Sequence, residues 1–242
     1  MGTSFITQVF GEFIGTMFLV LLGDGIVTGV ELRKTKSNNA GWLAIMIGWG
    51  LAVTFGVFLV SWMSLGHLNP AVSIAMAIAG KFNWGLVLPY IIAQILGAIA
   101  GAILVWLTYF PHWAETKDST AILGCFSTVP AIRNYFANFF SEFIGAFVLV
   151  YGLLALSKST FSAGLNPIAA GLLITGIGLT LGGPTGCAIN PARDLGPRIA
   201  HQFLPIVNKG DSDWAYSWVP IFAPISGGII AALIYNITSN MS

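Results

Sequence analysis

Long apolar stretches alternate with short polar connections along most of this chain. Six of the stretches reach, or nearly reach, the roughly 20 residues that an α-helix needs to cross a membrane. They are Phe5–Val30, Trp42–Trp62, Trp84–Tyr109, Asn134–Leu156, Pro167–Leu181 and Ser217–Asn236. The polar connections are Glu31–Gly41, Phe110–Arg133, Ser157–Asn166 and Leu204–Tyr216. This pattern predicts an all-α membrane protein with six transmembrane helices.

Two further apolar segments, Pro70–Ala79 and Pro191–Phe203, are too short to cross a membrane. At about 1.5 Å per helical residue, each spans only part of a hydrocarbon core that is ~30 Å thick. Both begin within the same tripeptide, which occurs as Asn69-Pro70-Ala71 and as Asn190-Pro191-Ala192. We therefore expect two re-entrant half-helices.

The first and second halves of the chain resemble each other. The phrase Gly11-Glu12-Phe13-Ile14-Gly15 in the first span returns as Ser141-Glu142-Phe143-Ile144-Gly145 in the fourth. The repeats cover approximately residues 5–110 and 134–236, and each holds three spans with a half-helix between the second and third. Because three is odd, the second repeat is inverted, and the half-helices enter from opposite faces to meet near the midplane. One transmembrane domain over residues 1–242, built around a pore, is expected.

Composition excludes several classes of function. Only 8% of the residues are charged, against roughly 25% in soluble domains, so a water-soluble globule is excluded. A net charge of +1 without a basic run gives no reason to expect a nucleic-acid partner. Cys125 and Cys187 fit no disulfide or metal spacing, and His67, His112 and His201 are scattered. Neither a metal nor a cofactor is expected.

Each Asn-Pro-Ala tripeptide has the sequence of a helix start. Asn69 and Asn190 stand at N-cap positions, and Pro70 and Pro191 follow at the first helical position, where a missing N–H costs nothing. If the two helices abut, both dipoles direct their positive ends to one point, and the Asn amides offer N–H donors to a passing solute. The alternative is that Asn-Pro is an ordinary turn signal, but two copies in matched context favour the half-helices.

Glu12 and Glu142 are carboxylates within apolar spans, where such groups are costly and need partners. The loops before the half-helices carry N–H groups that no helix satisfies, so we expect each Glu to support its loop. A proton relay is the alternative interpretation.

Three other polar residues lie near the half-helices or within a span. Arg193, three residues after Asn190, is expected at the pore mouth, where it would orient hydroxyls and repel cations; otherwise it snorkels or pairs with Asp194. His67 either lines the pore or caps its loop. Asp24 either reaches vestibule water or bonds a neighbouring helix, and the sequence does not decide between these.

The motifs together resemble the major intrinsic proteins, or aquaporins, over essentially the whole chain. The matching segments are His67-Leu68-Asn69-Pro70-Ala71-Val72, Gly186-Cys187-Ala188-Ile189-Asn190-Pro191-Ala192-Arg193, and the pair Glu12 and Glu142. Asp194, Arg198 and Pro220-Ile221 are similar to the glycerol facilitator (aquaglyceroporin) branch.

The resemblance implies a multi-pass homotetramer in the lipid of the cell membrane, with one pore per subunit and both termini cytoplasmic. Charge alone points weakly the other way, because Arg33, Lys34 and Lys36 follow the first span. The implied selectivity filter is Trp49, Gly178, Cys187 and Arg193. The other implied pore-lining residues are His67, Leu68, Gly186, Ala188 and Ile189. Open space beside the lumen is expected at Gly178.

Cys187 departs from the glycerol pattern, in which this position typically carries Phe. A thiol there would widen the filter and should be reachable from the vestibule, whereas Cys125 should react with thiol reagents without blocking flux. The alternative is that Cys187 packs behind its loop as a small hydrophobe.

The sequence therefore predicts a passive channel for glycerol, water and other small neutral solutes. Protonated lactic acid, dihydroxyacetone or hydrogen peroxide are alternative solutes. An ion-coupled secondary transporter is an alternative of another class, but it would need an ion or proton site. No nucleophile–base or metal constellation indicates an enzyme.

Overall fold

The computed structural model describes residues 3–160, 162 and 164–239, and within them every regular element is a helix. In chain order the helices are α1 (Phe5–Glu31), α2 (Gly41–Val60), α3 (Pro70–Ile78), α4 (Trp84–Thr108), α5 (His112–Glu115), α6 (Ser119–Gly124), α7 (Tyr135–Leu156), α8 (Leu165–Leu181), α9 (Pro191–Phe203) and α10 (Trp218–Ser239). Positions 161 and 163 of the predicted Ser157–Asn166 connection lie outside the described residues, as do both ends of the predicted domain.

The predicted spans correspond to six of these helices. α1, α2, α4, α7 and α10 are long and apolar enough to cross a membrane, and α8 is an apolar helix of 17 residues. α3 and α9, with 9 and 13 residues, are the two half-helices, so the expected architecture is confirmed.

The long connection between α4 and α7 differs from the prediction. It was expected to be a plain polar link over Phe110–Arg133, but it contains α5 and α6 and folds back into the protein. Trp113, Cys125 and Phe126 are fully buried in a cluster with residues of α1 and α4. Its apolar side chains are too few and too scattered to form a span, but they suffice to fill the space beside α9.

In each repeat, a glycine at the same place allows the first and the third spanning helix to pack closely against each other. A side chain at Gly97 of α4 would overlap the carbonyl of Phe13 in α1, and one at Gly227 of α10 would overlap the carbonyl of Phe143 in α7. Phe13 and Phe143 occupy equivalent places in the repeated phrase. The α1–α4 and α7–α10 pairs are therefore two copies of one close-packed unit, as small residues at membrane helix contacts permit.

Each half-helix packs on the partner repeat as well as on its own. α3 lies against α10 and α4, and α9 lies against α4 and α10. Gly196 of α9 meets Ala98 of α4, and Gly228 of α10 lies near the carbonyl of Ala71 in α3. Because each half-helix packs on both repeats, the N-termini of α3 and α9 are held together in the interior.

Candidate functional site: a pore between two half-helices

Asn69 and Asn190 cap the half-helices as the sequence predicts. Asn69 is extended, and its Oδ1 accepts a hydrogen bond from the N–H of Ala71 at 2.9 Å. Asn190 is also extended, and its Oδ1 accepts from Ala192 at 3.0 Å and from Arg193 at 3.3 Å. Both caps satisfy N–H groups that the first helical turn leaves free.

The two Asn side chains also join the half-helices to each other. Asn69 Nδ2 donates to the carbonyl of Ile189 at 2.9 Å, and Asn190 Nδ2 donates to the carbonyl of Leu68 at 2.8 Å. Each amide NH₂ carries two hydrogens, so one N–H of each remains for a solute. The helix N-termini thus meet at one point with donors facing the space between them.

The loops that lead into the half-helices have an unusual backbone. The φ angles of Leu68, Cys187 and Ile189 are +50°, +57° and +40°. Positive φ costs roughly 1–3 kcal/mol at a residue other than Gly and persists only where surrounding contacts enforce it. This conformation turns the carbonyls of Leu68 and Ile189 toward the opposite Asn.

Glu12 supplies such contacts to the first loop. Its carboxylate accepts from the N–H of His67 at 3.0 Å and of Leu68 at 2.8 Å. Ser64 Oγ at 2.9 Å and Gln94 Nε2 at 2.8 Å donate to the same carboxylate. These four hydrogen-bond donors occupy the acceptor positions of the buried Glu12 carboxylate.

Glu142 does the same for the second loop. It accepts from the N–H of Ala188 at 2.9 Å and of Ile189 at 2.7 Å, and from Thr185 Oγ1 at 2.6 Å. Glu12 and Glu142 contact equivalent positions in the two repeats. These contacts are those expected of a loop support.

Two cavities follow the inner surface of the bundle. The first, of about 270 Å³, contains both cap residues. Other predicted pore residues line it: Trp49, His67, Leu68, Cys187, Ala188, Ile189 and Arg193. Much of the remaining wall is apolar, with Leu19, Val53, Leu149 and Ile174 among its members. Sequence reasoning missed this wall, because apolar side chains that face a pore have the same pattern as those that face a core.

The second cavity, of about 450 Å³, lies toward the C-terminal end of α1 and is lined by Gly186. Trp49 and Arg193 line both cavities and therefore stand at the point where the two approach each other. The Arg193 guanidinium lies over the Trp49 ring, with Cζ 4.2 Å from the ring centroid. An apolar face and a set of fixed donors thus meet between the two cavities.

Gly178 does not provide the open space that was expected there. A side chain at this position would overlap the sulfur of Met46, and Gly178 lines neither of the two cavities. Its carbonyl accepts from Trp42 Nε1 at 3.0 Å. The absence of a side chain makes room for Met46, which itself lines the first cavity.

Arg193 is buried, with 4% of its surface exposed, and it does not pair with Asp194. Its Nη1 lies 3.5 Å from Asp24 Oδ1 and donates to the carbonyl of Phe126 at 3.4 Å. Asp24 thus lies at ion-pair distance from α9 without the hydrogen bond to a neighbouring helix that was one of the two alternatives.

Asp194 instead ties α9 to the chain segments that precede α7 and α10. Its carboxylate pairs with Arg198 at 2.8 Å and accepts from the N–H and hydroxyl of Thr128 at 2.9 and 2.6 Å. Arg198 donates to the carbonyls of Ser212, Asp213 and Thr128. The pair is fully buried and fastens the segments before α7 and α10 to the second half-helix.

His67 lines the first cavity, which is one of the two alternatives, and its backbone N–H is held by Glu12. Its Nδ1 lies 3.1 Å from Ser73 Oγ. The ring makes edge contacts with Phe82 and Tyr90, at centroid distances of 4.6 and 5.6 Å. One face of the imidazole is thereby fixed away from the pore.

The two cysteines differ in accessibility. Cys187 is partly exposed and lines the first cavity, although it also packs against the apolar cluster around Ile189. Cys125 is fully buried, and its Sγ lies 3.2 Å from the carbonyl of Ala121. The expectation that Cys125 reacts freely with thiol reagents is therefore wrong.

Comparison with known proteins agrees with the family that the motifs resemble. The family described as "Major intrinsic protein" matches residues 2–235. Glycerol uptake facilitator protein 3 of Lactiplantibacillus plantarum is 64% identical, over 95% of this chain and 96% of that protein. The glycerol uptake facilitator protein of Bacillus subtilis is 53% identical, over 95% of this chain and 84% of that protein.

A solved structure agrees with the fold. The aquaglyceroporin of Plasmodium falciparum superposes with a TM-score of 0.86 at 31% identity, covering 99% of this chain and 100% of that one. The family match, the similarity to these relatives and the paired half-helices all agree. The chain therefore belongs to the major intrinsic protein family.

Proposed function

We propose that this chain is a passive transmembrane channel for glycerol, water and other small neutral solutes, and that it catalyses no reaction. The observation that carries the proposal is the meeting of the two capped half-helices in one cavity, with an N–H donor of each Asn left for a solute. The names of its relatives, which are glycerol uptake facilitators, support glycerol as the main solute.

The proposed path is amphipathic. A solute would find donors on one side, from Asn69, Asn190 and Arg193, and an apolar wall on the other. Glycerol matches such a path, because its hydroxyls lie along one edge of a carbon chain. Two positive helix ends at the midpoint disfavour cations there. We assign the narrowest point of the path to Trp49, Cys187 and Arg193. Gly178 leaves room for the side chain of Met46 next to these residues.

Swelling of proteoliposomes tests this function. Vesicles that contain the protein should admit glycerol and water faster than protein-free vesicles, with rates proportional to the gradient. An imposed pH gradient should not drive glycerol uphill. Accumulation of glycerol against its gradient would instead indicate an ion-coupled transporter.

A second set of solutes is supported by Cys187. A thiol takes less room than the aromatic side chain that glycerol facilitators typically carry at this position, and Cys187 lines the cavity beside Trp49. Protonated lactic acid, dihydroxyacetone or hydrogen peroxide would then pass as well. Comparing the uptake of labelled lactic acid below and above the pKa of lactic acid, with glycerol as reference, tests the first of these solutes, and direct flux assays with dihydroxyacetone and hydrogen peroxide test the other two.

The proposed setting is the lipid of the cell membrane, with four identical subunits and both termini in the cytoplasm. Apolar side chains are exposed along α1, α2, α4 and α10, and this exposure supports the proposal that these helices contact lipid and the other subunits. Chemical cross-linking in membranes should give a tetramer ladder. Protease applied to right-side-out vesicles should leave tags at both ends of the chain intact.

A further inference from the structure

A second layer of residues lies behind the constriction, on α1. A side chain at Gly23 would overlap the indole of Trp49, so the ring can pack this close to α1 only because this residue is Gly. The next residue, Asp24, directs its carboxylate at the other wall of the constriction, with Oδ1 3.5 Å from Arg193 Nη1. Two consecutive residues of α1 therefore contact Trp49 and Arg193, which line both cavities and to which we assign the filter.

Asp24 has no other partner in the described part of the chain. Its side chain is fully buried, and neither carboxylate oxygen makes a hydrogen bond. Thr28 Oγ1 donates to the backbone carbonyl of Asp24, at 2.7 Å, and not to its side chain. A buried carboxylate without hydrogen bonds is costly unless an opposite charge lies beside it, and Arg193 is that charge.

Arg193 depends on Asp24 in the same way. Its guanidinium is always protonated, and its Nε makes no hydrogen bond. The other nearby carboxylate, Asp194, is taken by Arg198 and Thr128. The charge of Arg193 is thus left to Asp24, to the carbonyl of Phe126 and to the face of Trp49.

We propose that Asp24 is a specificity-determining residue of the pore, which compensates the charge of Arg193 and fixes its position from behind the constriction. The filter then presents the donors of an arginine to neutral solutes without a net positive charge that would draw anions into the pore. The inference rests on the proposed channel function and concerns its charge selectivity.

The test is a double-mutant cycle in proteoliposomes, measured as ion flux and glycerol flux on the same preparations. Asp24→Asn leaves a net positive charge in the filter, so nitrate flux should rise about tenfold, which corresponds to ~1.4 kcal/mol. Arg193→Ala leaves an unpaired carboxylate, so potassium flux should rise by a comparable factor. Adding Asp24→Asn to Arg193→Ala should abolish most of that potassium flux.

Two further variants act as controls. Asp24→Glu keeps the charge and should keep nitrate excluded. Thr28→Val removes a buried polar group one turn further along α1 without changing charge, and it should leave nitrate and potassium flux at the wild-type level. Glycerol flux of the wild type tests the channel function separately, because a failed channel would admit no glycerol in any variant.

Two outcomes overturn the proposal. One is unchanged nitrate flux in a folded Asp24→Asn protein, which would mean that Asp24 carries no charge in the native pore. The other is a nitrate flux that Asp24→Asn raises equally with and without Arg193. Should Asp24→Asn not fold, Arg193→Gln decides the question alone, since a leak without preference for potassium over nitrate contradicts a charged Asp24.

Discussion

Asn69 and Asn190 hold each other's loops, because each side-chain NH₂ donates to the carbonyl that precedes the other Asn. The exchange is symmetric across the junction of the half-helices, but the caps are not. Asn69 Oδ1 accepts from one N–H, whereas Asn190 Oδ1 accepts from two. The second half-helix therefore relies more on its cap than the first.

We predict that Asn190→Ala destabilises the protein more than Asn69→Ala. Loss of a side-chain cap costs about 1 kcal/mol, and loss of the bond across the junction costs ~0.5–1.5 kcal/mol more. Only Asn190 loses a second capped N–H. The measurement is the thermal unfolding of the two variants in detergent, on the same fluorescence signal. Equal stabilities, or a less stable Asn69→Ala variant, would contradict the unequal caps.

Glu12→Gln and Glu142→Gln should lower the yield of folded protein more than they change solute preference. A Gln side chain offers one acceptor oxygen and turns an NH₂ toward loop N–H groups, and each unmet buried donor costs about 1–3 kcal/mol. The checks are the yield of folded, detergent-extracted protein and the ratio of glycerol to water flux in what folds.

Glu115→Gln is the matched control for these two variants. Glu115 pairs with Lys34 at 2.7 Å on the surface, so this change should leave the folded yield as it is in the wild type. A Glu142→Gln protein that folds at full yield but prefers a different solute would show that Glu142 acts on the solute and not on the loop.

The sequence alone predicts those features of the pore that depend on neighbouring residues. Asn followed by Pro places a cap and the first helical residue side by side, so the start of each half-helix at Pro70 and Pro191 could be predicted. The contact of Glu12 and Glu142 with their loops could be predicted because buried carboxylates and free loop N–H groups need each other, and the repeat supplies two examples.

The features that depend on distant segments could not be predicted in this way. Asp24 and Arg193 lie in different repeats, and nothing within either local sequence distinguishes a carboxylate that meets an arginine from one that meets water. The sequence offered Asp194, directly beside Arg193, as the partner in the alternative interpretation of Arg193, but Asp194 pairs with Arg198. Helical geometry explains why: Arg198, one turn further along α9, lies on the same face as Asp194.

Arg198→Met should destabilise the protein severely, because it leaves Asp194 buried without its counter-charge. Breaking a buried pair in this way typically costs ~3–5 kcal/mol. Arg133→Met is the control, since the Arg133–Asp213 pair is partly exposed and worth at most about 1 kcal/mol in water. The measurement is unfolding by denaturant or heat in detergent. If Arg198→Met loses no more unfolding free energy than Arg133→Met, Arg198 does not anchor the segments that precede α7 and α10.

Cys187 should be the site at which a mercurial blocks the pore. Its side chain is partly exposed to the cavity that holds both Asn caps, so a bound mercury atom would occupy the solute path. Cys125 is buried and should stay unmodified in the folded protein. Glycerol flux should fall on addition of mercurial in the wild type and in Cys125→Ala, and it should persist in Cys187→Ala. Mass spectrometry of the treated wild type should find one adduct, on Cys187.

Replacing Cys187 by Phe tests whether this position sets the width of the filter. An aromatic ring there would face the cavity beside Trp49 and take space that the thiol leaves free. We expect Cys187→Phe to keep glycerol flux within about twofold of the wild type and to reduce flux of protonated lactic acid by roughly tenfold, since even one methylene in an apolar pocket changes discrimination by on the order of 1–3 kcal/mol. Cys187→Ser serves as the control of similar size and should leave the ratio of the two fluxes unchanged. If Cys187→Phe leaves lactic acid flux untouched while Cys187→Ala remains fully sensitive to mercurial, the thiol does not border the solute path. The filter would then be set by Trp49 and Arg193, without a contribution from this loop.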